Sequence, residues 1–240
     1  MEIKVFNTAS EVSDYVARQI LELVQKKPDS SLGVATGRTM DAIYHKLIKL
    51  AVNEKTSFNQ VRAFAVDEYI GLAEGSMNSY KEYLNLHLFD QLDFKKDNLY
   101  IPETVLEKID ESCKKYEEQI LAQGGIDLQL LGVGLNGHIG LNEPGSSTDS
   151  RTRIVGLTST TRNSNKVLFR NETIPATAVT MGIGTILESK QCMLIATGET
   201  KSEIVQKVVN GDINSKVPAT ALKQHKNCII ILDKEAAKLI

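Results

Sequence analysis

Short apolar runs alternate with amphipathic stretches along the chain, and this alternation predicts the fold. Five runs have the length and continuous apolar character of strands that are buried on both faces. They lie at residues 31–35, 61–66, 128–133, 192–196 and 228–232. Strands of this kind that alternate with helices indicate a mainly parallel sheet covered by helices on both sides, so we expect an α/β fold.

Helical spacing of apolar residues marks the segments between the strands. It predicts helices over residues 12–24, through residues 43–50 and around residues 80–89. A capping box, in which a threonine precedes a glutamate by three positions, marks two helix starts: Thr8 with Glu11, and Thr200 with Glu203. The pattern does not determine the order of the strands in the sheet.

Composition and charge describe an ordinary globular protein. The chain has 240 residues, of which 42% are hydrophobic and 24% are charged. No repeat or Pro/Gly/Ser-rich linker interrupts it, so we expect a single domain over residues 1–240. The net charge of −2 gives no strong drive toward nucleic acid or a membrane surface, and neither is expected as a partner.

The cysteines and the N-terminal segment indicate the cellular compartment. Cys113, Cys192 and Cys228 form no CxxC pair and no zinc pattern with the four histidines, so no metal site is expected. Cys192 and Cys228 lie in apolar strand-like runs, which favours buried structural thiols. The N-terminal segment lacks the apolar core of a signal peptide, and no stretch approaches the ~20 apolar residues of a membrane span. We therefore expect a cytoplasmic protein.

Four predicted strands end in polar or glycine-rich loops, at residues 36–39, 67–69, 134–150 and 197–200. Open α/β sheets bind ligands outside the carboxyl ends of their strands, so we expect these loops to meet in one crevice. In the first and fourth loops, Gly37 and Gly198 stand between a strand and a helix, where backbone N–H groups can approach an anion.

Lys201 strengthens the case for an anion site. We expect it at the first position of a helix, where a cation is unfavourable unless an external anion binds. Neither glycine loop has the GKS/T ending of a P-loop or the GxGxxG pattern, so a nucleotide is disfavoured. Phosphate binding is the hypothesis for these loops, and an ordinary tight turn is the alternative.

Asp67 and Glu68 directly follow the second strand. If the backbone stays extended, adjacent side chains point to opposite faces, so only one of the two can enter the crevice. A carboxylate there could abstract a proton next to a carbonyl group. A solvated acidic turn is the alternative interpretation.

The loop after the third strand carries the densest set of candidate groups. It contains four glycines between positions 132 and 140, together with His138 and Glu143. A carboxylate beside an imidazole orients it and raises its pKa, which suits proton transfer near neutral pH. Because polar loop residues on a rigid scaffold often carry function, we favour catalysis over a structural histidine.

In these segments the chain resembles the glucosamine-6-phosphate deaminase/isomerase family. The most specific matches are VDEYIGL (66–72) and GLNGHIGLNEP (134–144). The other matching segments occur in family order over nearly the whole chain: LGVATGRTM (32–40), RTRIVGLTSTTR (151–162), AVTMGIGTILESK (178–190), TGETK (197–201) and VPATALKQH (217–225). The related 6-phosphogluconolactonases share the first glycine turn and GxGxxGH, whereas LNEP after the histidine indicates the deaminases.

The resemblance implies a function and a role for each matching residue. The expected reaction isomerises glucosamine 6-phosphate and releases ammonia to give fructose 6-phosphate, without a metal or organic cofactor. Asp67 would move a proton between C2 and C1 of the open-chain sugar, and His138 would assist ring opening with Glu143 and Asn136 orienting it. The residues implied to hold the 6-phosphate are Thr36, Gly37, Arg38, Thr39 and Lys201. The implied fold is a three-layer, modified Rossmann-like α/β arrangement.

The chain departs from the family pattern at three positions. Asn136 replaces an aspartate found in many members. Val167 stands where the family has a phosphate-binding arginine, and Arg38 or Lys166 could supply the missing charge. Val155 stands where members regulated by N-acetylglucosamine 6-phosphate have a lysine, although two other residues of that regulatory site match, Ser146 and Arg153.

Several alternatives stay open at this point. The missing arginine is shared with the galactosamine-6-phosphate isomerase branch, whose product would be tagatose 6-phosphate. A lactone hydrolase of the 6-phosphogluconolactonase type and a non-catalytic sugar-phosphate sensor are further candidates. A small sugar phosphate is the expected partner in each case, and both a monomer and a homo-oligomer are possible.

Overall fold

Each apolar run of the sequence forms a strand of one parallel sheet. The computed structural model describes residues 1–166, 169 and 173–240. Its strands are β1 (Glu2–Phe6), β2 (Ser31–Val34), β3 (Arg62–Ala65), β4 (Asp67–Tyr69), β5 (Leu99–Tyr100), β6 (Leu128–Gly132), β7 (Arg153–Gly156), β8 (Thr177–Thr180), β9 (Cys192–Ala196) and β10 (Cys228–Asp233). The five runs correspond to β2, β3, β6, β9 and β10.

Helices connect these strands. The α-helices are α1 (Ala9–Lys26), α2 (Arg38–Asn53), α3 (Tyr80–His87), α4 (Ile109–Ala122), α5 (Ser159–Asn165), α6 (Ile183–Leu187) and α7 (Ser202–Asn210). Short 3-10 helices span Phe89–Gln91, Lys96–Asn98, Leu106–Lys108, Glu199–Lys201 and Pro218–Gln224. Among the described residues, no helix has the length and apolar character needed to cross a membrane.

The main sheet has seven strands in the order β1-β10-β9-β6-β2-β3-β5, and every neighbouring pair in it is parallel. A second sheet, β4-β8-β7, is antiparallel. The prediction of a mainly parallel, helix-flanked α/β fold of the Rossmann-like three-layer type is confirmed. The predicted buried thiols Cys192 and Cys228 are confirmed as well, and Cys113 is also buried and free.

One predicted capping box forms and the other does not. At α1, Thr8 Oγ1 accepts from Glu11 N at 3.2 Å, while the Glu11 carboxylate accepts from Asn7 N at 2.7 Å. At α7 no side chain caps the helix, and the Thr200 prediction was wrong. A 3-10 turn comes first, and its Gly198 N–H is held at 3.0 Å by the Asp233 carboxylate at the end of β10.

Five of the ten strands were not predicted from the sequence: β1, β4, β5, β7 and β8. β1 is an edge strand whose residues are largely exposed, so it lacks the apolar run of a buried strand. Residues 67–69 were predicted as a loop, but they form β4, which pairs with β8 from Asp67 opposite Thr180 to Tyr69 opposite Ala178. That partner is more than a hundred residues away, and local pattern does not report it.

The strand order places the candidate loops side by side. β9, β6, β2 and β3 are successive neighbours in the main sheet. The four loops singled out in the sequence follow the carboxyl ends of these strands, so they meet at one edge of the sheet, as predicted.

Candidate active site

A cavity of about 610 Å³ lies where these loops meet. All four loops contribute to its wall, and so do Tyr80 and Tyr83 of α3 and Ser164 and Asn165 of α5. The volume is in the usual range for a small-molecule site. Most of the predicted site residues line it: Thr36, Gly37, Arg38, Thr39, Asp67, His138 and Lys201. Asn136 and Glu143 lie behind the wall and contact each other next to His138.

The start of α2 forms one pole of the cavity. Gly37 has φ +112°, a backbone conformation that favours glycine, and it precedes the helix without a side-chain cap. An uncapped N-terminus of a 16-residue helix offers N–H donors and partial positive charge to an anion. The loop Thr36–Thr39 therefore has the backbone geometry that phosphate binding requires.

Two cations face the same pole. Lys201 donates from Nζ to the Val133 carbonyl at 2.7 Å, and Arg38 lines the cavity at the first position of α2. Burial and then the charge of Arg38 lower the pKa of Lys201. In the described part of the chain neither cation forms an ion pair with a carboxylate. A bound anion would supply the charge that this pole lacks.

The prediction that Lys201 occupies the first position of its helix was wrong. It ends the 3-10 turn Glu199–Lys201, and α7 begins one residue later. Its side chain turns back toward the end of β6, where the Val133 carbonyl holds it. The lysine is thus placed by a neighbouring strand of the sheet and still reaches the cavity.

Asp67 and Glu68 point in different directions, as an extended backbone requires. Asp67 lines the cavity, although only 7% of its surface is exposed. Glu68 turns away and accepts from the backbone N–H groups of Tyr69, Tyr80 and Lys81, at 2.8, 3.0 and 2.7 Å. Glu68 is therefore an anchor for the start of α3, and Asp67 is the carboxylate available to a ligand.

The environment of Asp67 favours its protonated form. Burial, and secondly the charge of Glu68, raise the pKa of Asp67 to about 8. Within the described residues no group donates a hydrogen bond to its carboxylate. A carboxyl group with a pKa near neutrality in a cavity has the properties of a proton-transfer group.

His138 lies opposite a small set of polar groups. Its Nδ1 is 3.2 Å from Thr161 Oγ1 and 3.8 Å from Glu143 Oε2. The ring covers Gly134 so closely that a Cβ there would lie 2.1 Å from the ring carbon Cε1. Glycine at position 134 is therefore required by the histidine ring.

The net shift of the His138 pKa differs from the sequence expectation. Burial lowers the pKa, Glu143 opposes that effect, and Lys201 adds to it, so the pKa lies below its ordinary value. The carboxylate acts in the expected direction, but desolvation is larger. His138 is consequently neutral at pH 7, as a group that accepts a proton must be.

Asn136 and Glu143 form a hydrogen-bonded unit behind the histidine. Asn136 Nδ2 donates to Glu143 Oε2 at 2.6 Å, and the Asn136 side-chain oxygen accepts from His138 N at 3.2 Å. The other Glu143 oxygen accepts from Thr158 N at 3.2 Å. The amide in place of the usual aspartate therefore donates to the glutamate, which an ionised aspartate could not do.

Sequence reasoning missed the contribution of α5 to the site. This helix carries Thr161 to His138 at its start and Asn165 to the cavity wall at its end. Asn165 Nδ2 donates to the Tyr69 hydroxyl at 2.7 Å. Thr158 caps the helix, accepting from Thr161 N at 3.3 Å, and a threonine three positions before another polar residue was the available signal.

Arg38 and Lys166, the two candidates to replace the missing phosphate-binding arginine, differ in their position relative to the cavity. Arg38 lines the cavity. Lys166, at the end of α5, is exposed and not part of the cavity wall. Val167 lies outside the described residues. Among the described residues, no group of three or more His, Cys, Asp or Glu side chains could hold a metal ion.

Comparison with known proteins places this site in a family. Residues 6–231 match the family described as glucosamine-6-phosphate isomerases/6-phosphogluconolactonase. The chain belongs to this family. The resemblance predicted from the glycine loops and the LNEP segment is confirmed.

Individual members of the family cover the chain from end to end. A Shewanella woodyi protein named glucosamine-6-phosphate deaminase is 44% identical over 238 residues, which are 99% of this chain and 90% of that protein. A protein of the same name from a Thermoanaerobacter species is 41% identical over 241 residues, 100% of this chain and 95% of its relative.

Solved structures in the family give the same assignment. One described as a monomeric glucosamine-6-phosphate deaminase is 39% identical, covers 100% of both chains and superposes with a TM-score of 0.97. The 6-phosphogluconolactonase from Trypanosoma brucei superposes with a TM-score of 0.78 over 99% of this chain and 97% of its own, at 21% identity, and shows that the fold is shared.

Proposed function

We propose that this chain is a glucosamine-6-phosphate deaminase, which converts glucosamine 6-phosphate and water into fructose 6-phosphate and ammonia. One observation carries the proposal. Asp67 shares a small cavity with Lys201 and Arg38, two cations that form no ion pair with a carboxylate among the described residues. Asp67 is a buried carboxyl group with a pKa of about 8, and no described residue donates a hydrogen bond to it. The names of the full-length relatives support the same activity.

The cationic pole binds the 6-phosphate in this proposal. The loop Thr36–Thr39 provides backbone N–H groups at the start of α2, and Lys201 and Arg38 provide charge. Arg38 takes the part of the arginine that the family has at position 167. With the phosphate fixed at this end, the sugar extends along the cavity toward Asp67 and His138.

Ring opening is the first chemical step. The neutral imidazole of His138 takes the proton of the C1 hydroxyl and passes it to the ring oxygen O5, so that the C1–O5 bond breaks and the open-chain aldehyde forms. Asn136 and Glu143 hold the loop that carries this histidine.

Isomerisation follows at C2 and C1. The ionised Asp67 carboxylate takes the proton from C2 as the C1 carbonyl oxygen takes a proton from solvent, and Asp67 then returns its proton to C1. The result is an iminium ion at C2, to which water adds with loss of ammonia and of one proton, giving the ketone. No metal or organic cofactor is required in this scheme.

An assay of ammonia and ketose 6-phosphate release tests the proposal. We expect turnover of glucosamine 6-phosphate in preference to galactosamine 6-phosphate. Preferential turnover of the galactosamine epimer, with tagatose 6-phosphate as product, would replace the substrate assignment. Hydrolysis of 6-phosphogluconolactone, or tight binding of both amino sugars without turnover, would overturn the deaminase proposal.

The variant Asp67→Asn tests the base directly. It keeps the shape of the side chain and removes the proton acceptor, so turnover should fall by about 100-fold or more. Binding of glucosamine 6-phosphate, measured by calorimetry, should persist because the phosphate pole is intact. Substantial turnover in this variant would contradict the role of Asp67.

The oligomeric state and the cellular compartment are the last parts of the proposal. The solved relative with a TM-score of 0.97 is described as monomeric. We therefore propose that the protein acts as a monomer, which sedimentation analysis can check. The three buried free thiols support a reducing, cytoplasmic environment.

A further inference from the structure

The hydrogen-bond partner of His138 is a threonine. Glu143 Oε2 lies 3.8 Å from His138 Nδ1, which is too long for a hydrogen bond. Thr161 Oγ1 lies 3.2 Å from the same nitrogen. Within the described residues, Nδ1 has no other hydrogen-bond partner.

The Glu143 carboxylate is already engaged elsewhere. Asn136 Nδ2 donates to its Oε2 at 2.6 Å, and Thr158 N donates to its Oε1 at 3.2 Å. An amide at position 136 donates where an ionised aspartate could only accept, so it holds the glutamate away from the imidazole. The hydroxyl of Thr161 therefore takes the place at Nδ1 that Glu143 does not reach.

Thr161 is held firmly in this place. It is 1% exposed, its N–H donates to Thr158 Oγ1 at 3.3 Å, and the two hydroxyl oxygens are 3.3 Å apart. On the other side, the His138 ring lies against Gly134, where no Cβ fits. The ring is thus enclosed between a backbone face and one hydroxyl group.

We propose that Thr161 is a positioning residue for His138. Its hydroxyl oxygen accepts a hydrogen bond from Nδ1–H, and this tautomer leaves Nε2 unprotonated and available to the sugar. The Glu143 carboxylate at 3.8 Å favours a proton on Nδ1 by charge. The Thr158 hydroxyl donates to Thr161 Oγ1 at 3.3 Å, and the second lone pair of that oxygen is available to accept from Nδ1–H. Among the described residues, no protein group bonds Nε2. The inference rests on the proposed function, in which His138 is the base for ring opening.

A pair of variants separates positioning from packing. Thr161→Val keeps the shape and removes the hydroxyl, whereas Thr161→Ser keeps the hydroxyl and removes the methyl group. Loss of one neutral hydrogen bond should lower kcat of Thr161→Val by about 3- to 10-fold with little change in KM, and Thr161→Ser should stay close to the unaltered chain. A packing role would reverse the order of the two variants and would overturn the inference. Thr160→Val, an exposed neighbour on α5, is the matched control.

Nitrogen-15 NMR of the histidine ring gives a second readout that needs no turnover. We expect the Nδ1-protonated tautomer of His138 in the unaltered chain and in Thr161→Ser, and a mixture of tautomers in Thr161→Val. An Nε2-protonated ring in the unaltered chain would overturn the inference. Absence of deaminase activity in the unaltered chain would instead reject the proposed function, while the NMR result would still decide whether Thr161 sets the tautomer.

Discussion

The high pKa of Asp67 has two causes that mutation can separate. Burial is the larger one, and the negative charge of Glu68 is the second. Because a base works in its ionised form, kcat/KM for glucosamine 6-phosphate should rise with pH and level off above about pH 8. Below that pH the rate should fall about tenfold for each unit, since only the ionised fraction reacts.

Glu68→Gln removes the second cause and should move this acid limb to lower pH. The measurement is kcat/KM from about pH 6 to about pH 10 for both proteins. The amine of the substrate titrates identically in the two assays, so the difference between the profiles reports on the enzyme. Unfolding curves serve as a control, because Glu68 also anchors α3. Superimposable limbs would mean that a group other than Asp67 controls the rate.

Arg38 provides the second prediction at this scale. It lines the cavity and its charge lowers the pKa of Lys201, whereas Lys166 does not line the cavity. Arg38→Ala should raise KM for glucosamine 6-phosphate about tenfold, with kcat nearly unchanged, because in the proposed function the guanidinium binds a phosphate group that does not react. Lys166→Ala is the matched control and should leave KM unaltered. An unchanged KM in Arg38→Ala would exclude this arginine as the phosphate ligand.

The close approach of β2 and β6 depends on a glycine in β2 that faces a glutamine in β6. Gly33 of β2 pairs with Gln129 of β6, and a Cβ at position 33 would lie 2.1 Å from Gln129 Oε1. Gln129 is fully buried, so its side chain cannot swing into solvent. β2 leads to the phosphate loop and β6 to the histidine loop, and their close approach places the two loops side by side.

Gly33→Ala should therefore destabilise the protein by about 1–3 kcal/mol, the usual cost of overpacking a core. Gln129→Ala should relieve the clash, so the double variant should be more stable than the sum of the single changes predicts. Urea unfolding of all four proteins measures this coupling. Additive changes would show that the two side chains do not compete for space. Gln129 Oε1 has no hydrogen-bond partner among the described residues, but Gln129 Nε2 donates to the Leu130 carbonyl at 3.0 Å, so Gln129→Ala has a cost of its own, which the comparison of all four proteins subtracts.

Strands whose own residues form a continuous apolar run could be predicted from the sequence. β9 was predicted at its observed bounds, and the other four runs differ from the observed strands by a residue or two at their ends. The loops at their carboxyl ends could be predicted as one site because parallel topology brings them together. Asp67 and His138 were singled out for this reason.

Elements that depend on distant partners could not be predicted. β4 is a strand because β8 lies beside it, and Asp67–Tyr69 carry no strand pattern of their own. The turn before α7 is set by Asp233 of β10, so the capping pattern at Thr200 did not decide the helix start. Thr161 looked like any polar residue of a short helix until the fold placed it against His138.

At the scale of the whole molecule, the site is shared between two sheets. The phosphate pole and the histidine loop follow strands of the main sheet, whereas Asp67 begins β4 in the antiparallel sheet. The relative placement of the sheets therefore sets the distance between Asp67 and the phosphate pole. Helix α4 connects them: Tyr116 donates to the Ala65 carbonyl at the end of β3 at 2.6 Å, and Glu117 faces the second sheet.

Glu117 is the polar centre of this connection. It accepts from Thr152 N, just before β7, and from Thr185 Oγ1 of α6, both at 2.7 Å, and Arg151 donates to its other oxygen at 2.6 Å. Burial raises the pKa of Glu117, but these hydrogen bonds outweigh it and hold the pKa below its ordinary value. The unfolded chain thus binds the proton more readily than the folded one, and the carboxylate stabilises the fold above about pH 4.5.

Glu117→Gln should consequently lower the free energy of unfolding at pH 7 by about 1–3 kcal/mol, since the amide replaces one acceptor oxygen by a donor. The difference from the unaltered chain should shrink as the pH falls below about 4.5, because protonation of Glu117 weakens the same hydrogen bonds. Urea unfolding at several pH values measures both effects, and Glu118→Gln, an exposed neighbour on α4, is the control. Because α4 joins the two sheets, the same change should also reduce kcat of the folded enzyme at pH 7. A loss of stability with kcat intact would show that α4 supports the fold but does not set the position of Asp67.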